Sequence, residues 1–319
     1  QKPKILRTLA LERALTRGAS RIVKMACGSH HILALTGDGK VYSWGSGSEG
    51  SLGHGAYQDE SVPRKCEALL DVVVTQIAAG SHHSMFLTAD NTLFSCGDGS
   101  DGRLGLGDLD SRTAPTKIDL RVGAILRIAC GWDFSALVAI EGEKAKKGNM
   151  FTSLFSGVGG IVAVSSPKRL SIDESVPGDI DGVGDLAAAQ KGSFRAPWRR
   201  SAKNTSFLHG TTVLMWGNGR TGQCGTGRIE NQLIPTTVKA LDGKAVIDVA
   251  CGHVHVVALC ATGAVFTWGG GESGQLGTAS IFEPTPQEVN RRDLGQDDTV
   301  KVIACGAFHT VCGTANGRV

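Results

Sequence analysis

ACGSHHILALTGDGKVYSWGSGSEGSLGHG, residues 26–55, joins two short apolar runs, a tight turn and a cluster of glycines. Inside it, GSGSEG (45–50) fits G-x-G-x-x-G through Gly45, Gly47 and Gly50. That pattern cradles a dinucleotide pyrophosphate only where it follows a strand and opens a helix. Here it runs into SLGHGAYQDESVP, with more glycine, a proline and no apolar residues at helical spacing, so no helix is expected. The same pattern recurs as GDGSDG (97–102), GNGRTG (217–222) and GGGESG (269–274). One cofactor needs one cradle, so four copies point to a structural unit. Gly45 and Gly97 are 52 residues apart, as are Gly217 and Gly269, whereas Gly97 and Gly217 are separated by 120.

Each unit reads as strands. HHILAL, HHSMFL, FSALVA and HVVALC are apolar runs of strand length. KVYSW, TLFSC, TVLMW and AVFTW are rich in β-branched and aromatic residues. Asp38-Gly39, Asp90-Asn91, Thr262-Gly263 and Asn316-Gly317 supply the positive φ of tight hairpins. A proline recurs after each glycine cluster (Pro63, Pro115, Pro235, Pro284 or Pro286), and an apolar stretch then leads to the next Ala-Cys-Gly. About four short strands per 52 residues is the pattern of a propeller blade, so the fold class is all-β, a β-propeller of four-stranded blades.

The succession A-[CA]-G-x-x-H, L-[TC]-x-[DT]-G-x-V-[YF]-x-W-G and G-x-x-G-Q-L-G-x-G resembles the repeat of the regulator of chromosome condensation family. The repeat positions are Gly28, His31, Trp44, Gly45, Gly80, His83, Gly97, Gly131, Trp216, Gly217, Gly252, His255, Trp268, Gly269, Gly306 and His309. The resemblance implies a seven-bladed ring. Seven units of 52 exceed 319 residues, so the expectation is a partial set from a longer propeller; a five-bladed ring closed by its two partial ends is the alternative. The glycine cluster would be the connection after a blade's second strand and would bind nothing. The resemblance also implies a non-catalytic interaction scaffold for protein partners, within a larger multidomain, cytoskeletal or ciliary assembly. Guanine-nucleotide exchange on a small GTPase is the alternative, and chromatin binding a third.

Composition narrows the classes. Lys+Arg exceeds Asp+Glu by 33 − 30 = 3, too slight a balance to argue for nucleic acid. No apolar stretch reaches 18 residues, which excludes a membrane-spanning helix. Nine cysteines, with Cys27, Cys130, Cys251 and Cys305 at one phase and no C-x-x-C, read as buried reduced thiols of an intracellular protein, cytoplasmic or nuclear. No nucleophile with a histidine and carboxylate is nominated by spacing, and no cofactor or metal is expected. His31, His83, His255 and His309 share one phase, taken by Phe134 in the third unit; they read as structural histidines bonded to backbone. Trp44, Trp216 and Trp268 read as blade core, whereas Trp132 stands where other units carry serine, histidine or alanine. Asp98, Ser100 and Asp101 lack the spacing of a calcium loop and read as a solvated turn.

The domain reading is propeller over 1–142, an insert over 143–210 in place of a hairpin turn, and propeller over 211–319. The insert carries an apolar stretch, FTSLFSGVGGIVAV (151–164), and KGSFRAPWRRSAK (191–203). Phe194, Arg195, Trp198, Arg199 and Arg200 are the partner-binding residues expected there, because Arg and Trp dominate interface hot spots.

Overall fold

The computed structural model describes residues 21–142, 210–290 and 299–319. All the described strands belong to one compact unit, drawn from both sides of the insert. Sheet 1 comprises β1 (Ile22–Cys27), β2 (His31–Thr36), β3 (Val41–Gly45) and β4 (Glu60–Lys65). Sheet 2 holds β5 (Val74–Ala79), β6 (His83–Thr88), β7 (Leu93–Gly97) and β8 (Arg112–Lys117). Sheet 3 holds β9 (Ile125–Cys130), β10 (Phe134–Ile140), β11 (Thr211–Gly217) and β12 (Gln232–Thr237). Sheet 4 holds β13 (Val246–Cys251), β14 (His255–Cys260), β15 (Val265–Gly270) and β16 (Phe282–Glu288). Sheet 5 pairs β17 (Val300–Cys305) with β18 (Thr310–Thr314). Every sheet is an antiparallel meander in chain order.

This corrects the phase of the repeat. The strand that runs into Ala-Cys-Gly opens its own sheet, so the glycine cluster follows the third strand, not the second. It also explains the recurring prolines. Pro63, Pro115, Pro235 and Pro284 lie in the fourth strand, the outer edge, where a missing N–H costs no ladder bond on the open side. The two-residue turns form as the residues require: Gly39, Asn91, Gly263 and Gly317 have φ of 78°, 66°, 81° and 80°. In sheet 3 the β10–β11 ladder runs to Ile140↔Thr211, so the insert leaves and rejoins at one hairpin end.

The core lies between sheets. Leu33 and Val41 of sheet 1 meet Ile77 and Phe86 of sheet 2. Met85 and Leu93 of sheet 2 meet Leu137 and Trp216 of sheet 3. Met215 meets Val256 and Trp268 across the next junction, and Val257 meets Ile303 across the last. Middle strands covered on both faces, such as β6 and β14, are therefore buried along their whole length and lack the alternation of a half-exposed strand. The first strands pack side by side in the order β1, β5, β9, β13, β17. Gln76 Nε2 donates to the Leu126 carbonyl (3.0 Å), and Arg127 pairs with Asp248 (3.5 Å) across two of these contacts. No comparable packing joins β17 to β1 among the described residues, consistent with a partial ring; the N-terminal end that would close a five-bladed ring falls partly on residues 1–20, outside the described residues. Val23 and Met25 on β1 are accordingly exposed. Cys27, on the same strand, is exposed, contrary to the buried thiol expected, whereas Cys130, Cys251 and Cys305 are partly buried.

Candidate functional site

Each junction between sheets is built around one backbone carbonyl in the glycine-rich loop. Between sheets 1 and 2, Ser84 Oγ donates to the Ser51 carbonyl (2.7 Å) and lies 2.9 Å from His31 Nε2. Between sheets 2 and 3, Ser135 Oγ donates to the Arg103 carbonyl (2.9 Å) and lies 2.9 Å from His83 Nε2. Between sheets 4 and 5, Thr310 Oγ1 donates to the Gln275 carbonyl (2.8 Å) and lies 3.1 Å from His255 Nε2. A hydroxyl that spends its hydrogen on a carbonyl can only accept from the ring, so each histidine carries its proton on Nε2. Burial holds these rings neutral: it pulls His31 and His255 down to about 4, and His83 well below the ordinary value.

The junction between sheets 3 and 4 lacks both partners at once. Phe134 replaces the histidine and Val256 replaces the hydroxyl, and both are fully buried in one cluster. There the Gln223 carbonyl accepts from Trp268 Nε1 (2.9 Å), as the Arg103 carbonyl also accepts from Trp216 Nε1 (2.9 Å). The glycine of Ala-Cys-Gly is required by close approach. A Cβ on Gly28, Gly80, Gly252 or Gly306 would stand 2.3, 2.2, 2.2 or 2.1 Å from the ring of His31, His83, His255 or His309. On Gly131 it would stand 2.2 Å from Phe134. His31, His83 and His255 thus each meet a hydroxyl of the next sheet, where a backbone partner was expected, and each serves its own junction. His309, with no further sheet beside it among the described residues, is exposed. Trp216 and Trp268 are core as expected, but Trp44, on the first sheet, is only partly buried.

The first glycine of each cluster is a backbone device. Gly45, Gly97, Gly217 and Gly269 have φ of 111°, 115°, 102° and 99°, and a Cβ there would strike the carbonyl of His30, His82, Asp133 or Val254 at 2.3–2.6 Å. The cluster therefore holds its loop against the β1–β2 type of loop, and both kinds of loop emerge on one face of the propeller.

That face carries side chains with no internal task. Tyr57, Leu109, Ile229 and Ile281 stand at the same phase of four successive glycine loops and are 58%, 57%, 64% and 68% exposed. Further in, Trp132 is 40% exposed; its ring lies 4.2 Å from that of His253, which meets Phe308 edge-on at 5.0 Å. Beside Trp132 is a buried guanidinium. Arg103 pairs with Asp133 (2.7 Å), Asp98 (3.1 Å) and Asp101 (3.5 Å). Asp101 sits at φ 58° and also accepts from Asn231 Nδ2 (2.7 Å) and Asn218 Nδ2 (3.3 Å) of sheet 3. Asp98 and Asp101 are thus partly buried ion-pair partners of Arg103, and Asp101 also ties its loop to sheet 3, where a solvated turn was expected. The sequence held a signal for this: Arg103 occupies the place of Ser51, Gln223 and Gln275, and only there does the preceding loop carry two aspartates. Among the described residues no His, Cys, Asp and Glu cluster is arranged to hold a metal, and no helix is long and apolar enough to cross a membrane. Phe194, Arg195, Trp198, Arg199 and Arg200 lie outside the described residues.

Four-stranded sheets, each clamped to the next by a loop carbonyl and presenting its loops on one face, define a repeat propeller. The chain belongs to the regulator of chromosome condensation (RCC1) repeat family, whose profile matches residues 38–87, 90–138, 212–259 and 262–312. Each matched span takes two strands from one sheet and two from the next, which is the phase offset described above. The chain is 32% identical over 260 residues to the ultraviolet-B receptor UVR8 of Arabidopsis thaliana, covering 81% of this chain and 55% of that protein. It is 30% identical over 311 residues to the human E3 ubiquitin-protein ligase HERC2, covering 96% of this chain and 6% of that protein. Among solved structures, human WBSCR16 aligns with a TM-score of 0.62 at 22% identity, covering 92% of this chain and 57% of the other. Yeast RCC1 (Prp20), solved bound to Kap60, aligns at 0.63 and 20%, covering 94% and 55%. The chain thus spans little more than half of UVR8 and of these two structures.

Proposed function

We propose that this propeller is a protein-interaction module that docks a partner on its loop-bearing face and serves as a scaffold within a larger assembly. One observation carries the reading: four glycine loops in succession each hold out one large apolar side chain, Tyr57, Leu109, Ile229 and Ile281, each more than half exposed. Isolated apolar residues on a surface are ordinary, but a same-phase series on rigid loops is a spaced array that water does not favour. The loops are held still. The Gly47, Gly99 and Gly219 amides donate to Asp59, Ser111 and Asn231, and the Gly271 amide to the Ile281 carbonyl. Rigid, pre-placed contacts lose little entropy on binding. The role is binding, without covalent chemistry.

The test is affinity capture with chemical cross-linking, comparing the natural protein with Leu109→Asp, Ile229→Asp. Partners cross-linked to the loop face should fall at least tenfold in recovery, with an unchanged melting temperature. Equal recovery of every partner would overturn the reading. A small GTPase is one partner class to separate by the same material. Faster release of labelled GDP by the natural protein and not by the variant would mark exchange activity.

A further inference from the structure

The loop face has a charge that the whole chain does not share. Residues 46–60, 98–112, 218–232 and 270–284, with Asp133, carry eleven Asp/Glu against four Lys/Arg, whereas the chain has a formal net charge of +3. Part of the excess gathers beside Trp132. Three carboxylates, Asp98, Asp101 and Asp133, share the single guanidinium of Arg103. Arg220 reaches Asp101 only at 4.0 Å and is 74% exposed.

Trp132 is positioned as a platform. Its carbonyl accepts from the Ser81 amide (3.1 Å) and from the Ser81 hydroxyl. Its neighbour Asp133 accepts from Ser81 Oγ (3.1 Å) and pairs with Arg103. His253 supports the indole, and Phe308 supports His253. The backbone is locked, the ring is braced, and the ring remains 40% open to water, whereas Trp216 and Trp268 are fully buried.

We infer that Trp132 and the Arg103 carboxylate network form a seat for a basic side chain, so that the partner docking on this face presents an arginine- or lysine-rich segment. This rests on the loop-face reading above and names the chemistry of its partner. An aromatic face attracts a cation, most strongly for tryptophan, and carboxylates at its edge add a longer-range attraction that steers encounter. The competing occupants fit worse. A purely apolar partner strips water from under-compensated carboxylates and returns nothing to them. An acidic partner or a nucleic-acid backbone meets like charge.

The experiment uses the full chain and three labelled nonapeptides, alternating Arg-Gly, Glu-Gly and Leu-Gly, read by fluorescence anisotropy. The Arg-Gly peptide should bind saturably, and its Kd should rise steeply with salt. Trp132→Ala should weaken it about tenfold, while Trp132→Phe, which keeps a π face, should weaken it less. Asp98→Asn should also weaken it; if that variant loses its fold, the two Trp132 variants and the salt series still decide. Undiminished Arg-Gly binding by Trp132→Ala, or equal binding of the Glu-Gly or Leu-Gly peptide, would overturn the inference. If Leu109→Asp, Ile229→Asp still costs protein partners while the Arg-Gly peptide does not bind, docking on the face stands and the basic seat falls. If neither perturbation has an effect, both fall.

Discussion

Replacing Ser135 with valine and His83 with phenylalanine, singly and together, tests the junction architecture. Ser135→Val removes the hydroxyl that lies between His83 Nε2 and the Arg103 carbonyl. The carbonyl keeps Trp216 Nε1 as a donor, so the main loss is a buried imidazole N–H without a partner. Such a group costs about 1–3 kcal/mol. His83→Phe alone leaves the Ser135–Arg103 bond intact. The ring also fits, because Phe134 packs over Gly131 as His83 packs over Gly80: a Cβ on either glycine would stand 2.2 Å from the ring. Its cost should be below about 1 kcal/mol. The double variant recreates the Phe134 and Val256 pairing found between sheets 3 and 4, where the two groups are absent together. Urea unfolding followed by tryptophan fluorescence, extrapolated linearly, gives the three stabilities. The double variant should be more stable than the sum of the singles predicts by about 1–2 kcal/mol. Additivity within about 0.5 kcal/mol would refute the idea that histidine and hydroxyl act as a pair.

Trp268→Phe should cost about 1 kcal/mol more than Trp216→Phe in the same assay, because Val256 offers the Gln223 carbonyl no substitute hydroxyl, whereas Ser135 still serves Arg103. The histidines predict an acid limb. Burial pulls His31 and His255 to about 4 and His83 well below the ordinary imidazole value, against about 6.5 unfolded, so the unfolded chain binds more protons in that interval. Stability should be fully present above pH 6.5 and be lost as pH falls toward 4, with a shallower loss in His83→Phe, Ser135→Val, as followed by urea midpoints. Replacing residues 143–210 by Asp-Gly should leave the propeller folded and shift its stability by only about 1 kcal/mol, because the β10–β11 ladder already closes at Ile140↔Thr211. A melting curve checks this, and collapse of the fold would place the insert in the core.

The blade was legible because its signals are local. Period-two alternation in KVYSW and positive-φ pairs such as Asp38-Gly39 require only neighbours in sequence. Prolines at one phase likewise marked the outer strand once the sheet order was known. Sheet phase was not legible, because β1 and β5 have the same composition whether they close one blade or open the next. The junctions were hidden for a related reason. Ser84, Ser135 and Thr310 look like ordinary strand residues, and their partners lie about fifty residues earlier, so the pairing of His31 with Ser84 has no local signature. Trp132 was visible as a departure from the repeat. Arg103 was not singled out, although it stands where other units carry Ser51, Gln223 and Gln275 and follows two aspartates; the third carboxylate, Asp133, comes from the next sheet and has no local signature.

The loop carbonyls also have a fixed order in which their donors become available as the chain is made. Each is exposed by one sheet and satisfied only by the next, so a newly made loop waits on the ribosome for its successor. For Ser51 the wait to Ser84 is 33 residues. Arg103 is served twice, by Ser135 after 32 residues and by Trp216 after 113, with the whole insert between. At roughly 5–20 residues per second the gap between those two donors lasts on the order of ten seconds. In chain order Ser135 is therefore available to the Arg103 carbonyl before the insert is made, and the Trp216 indole only after it.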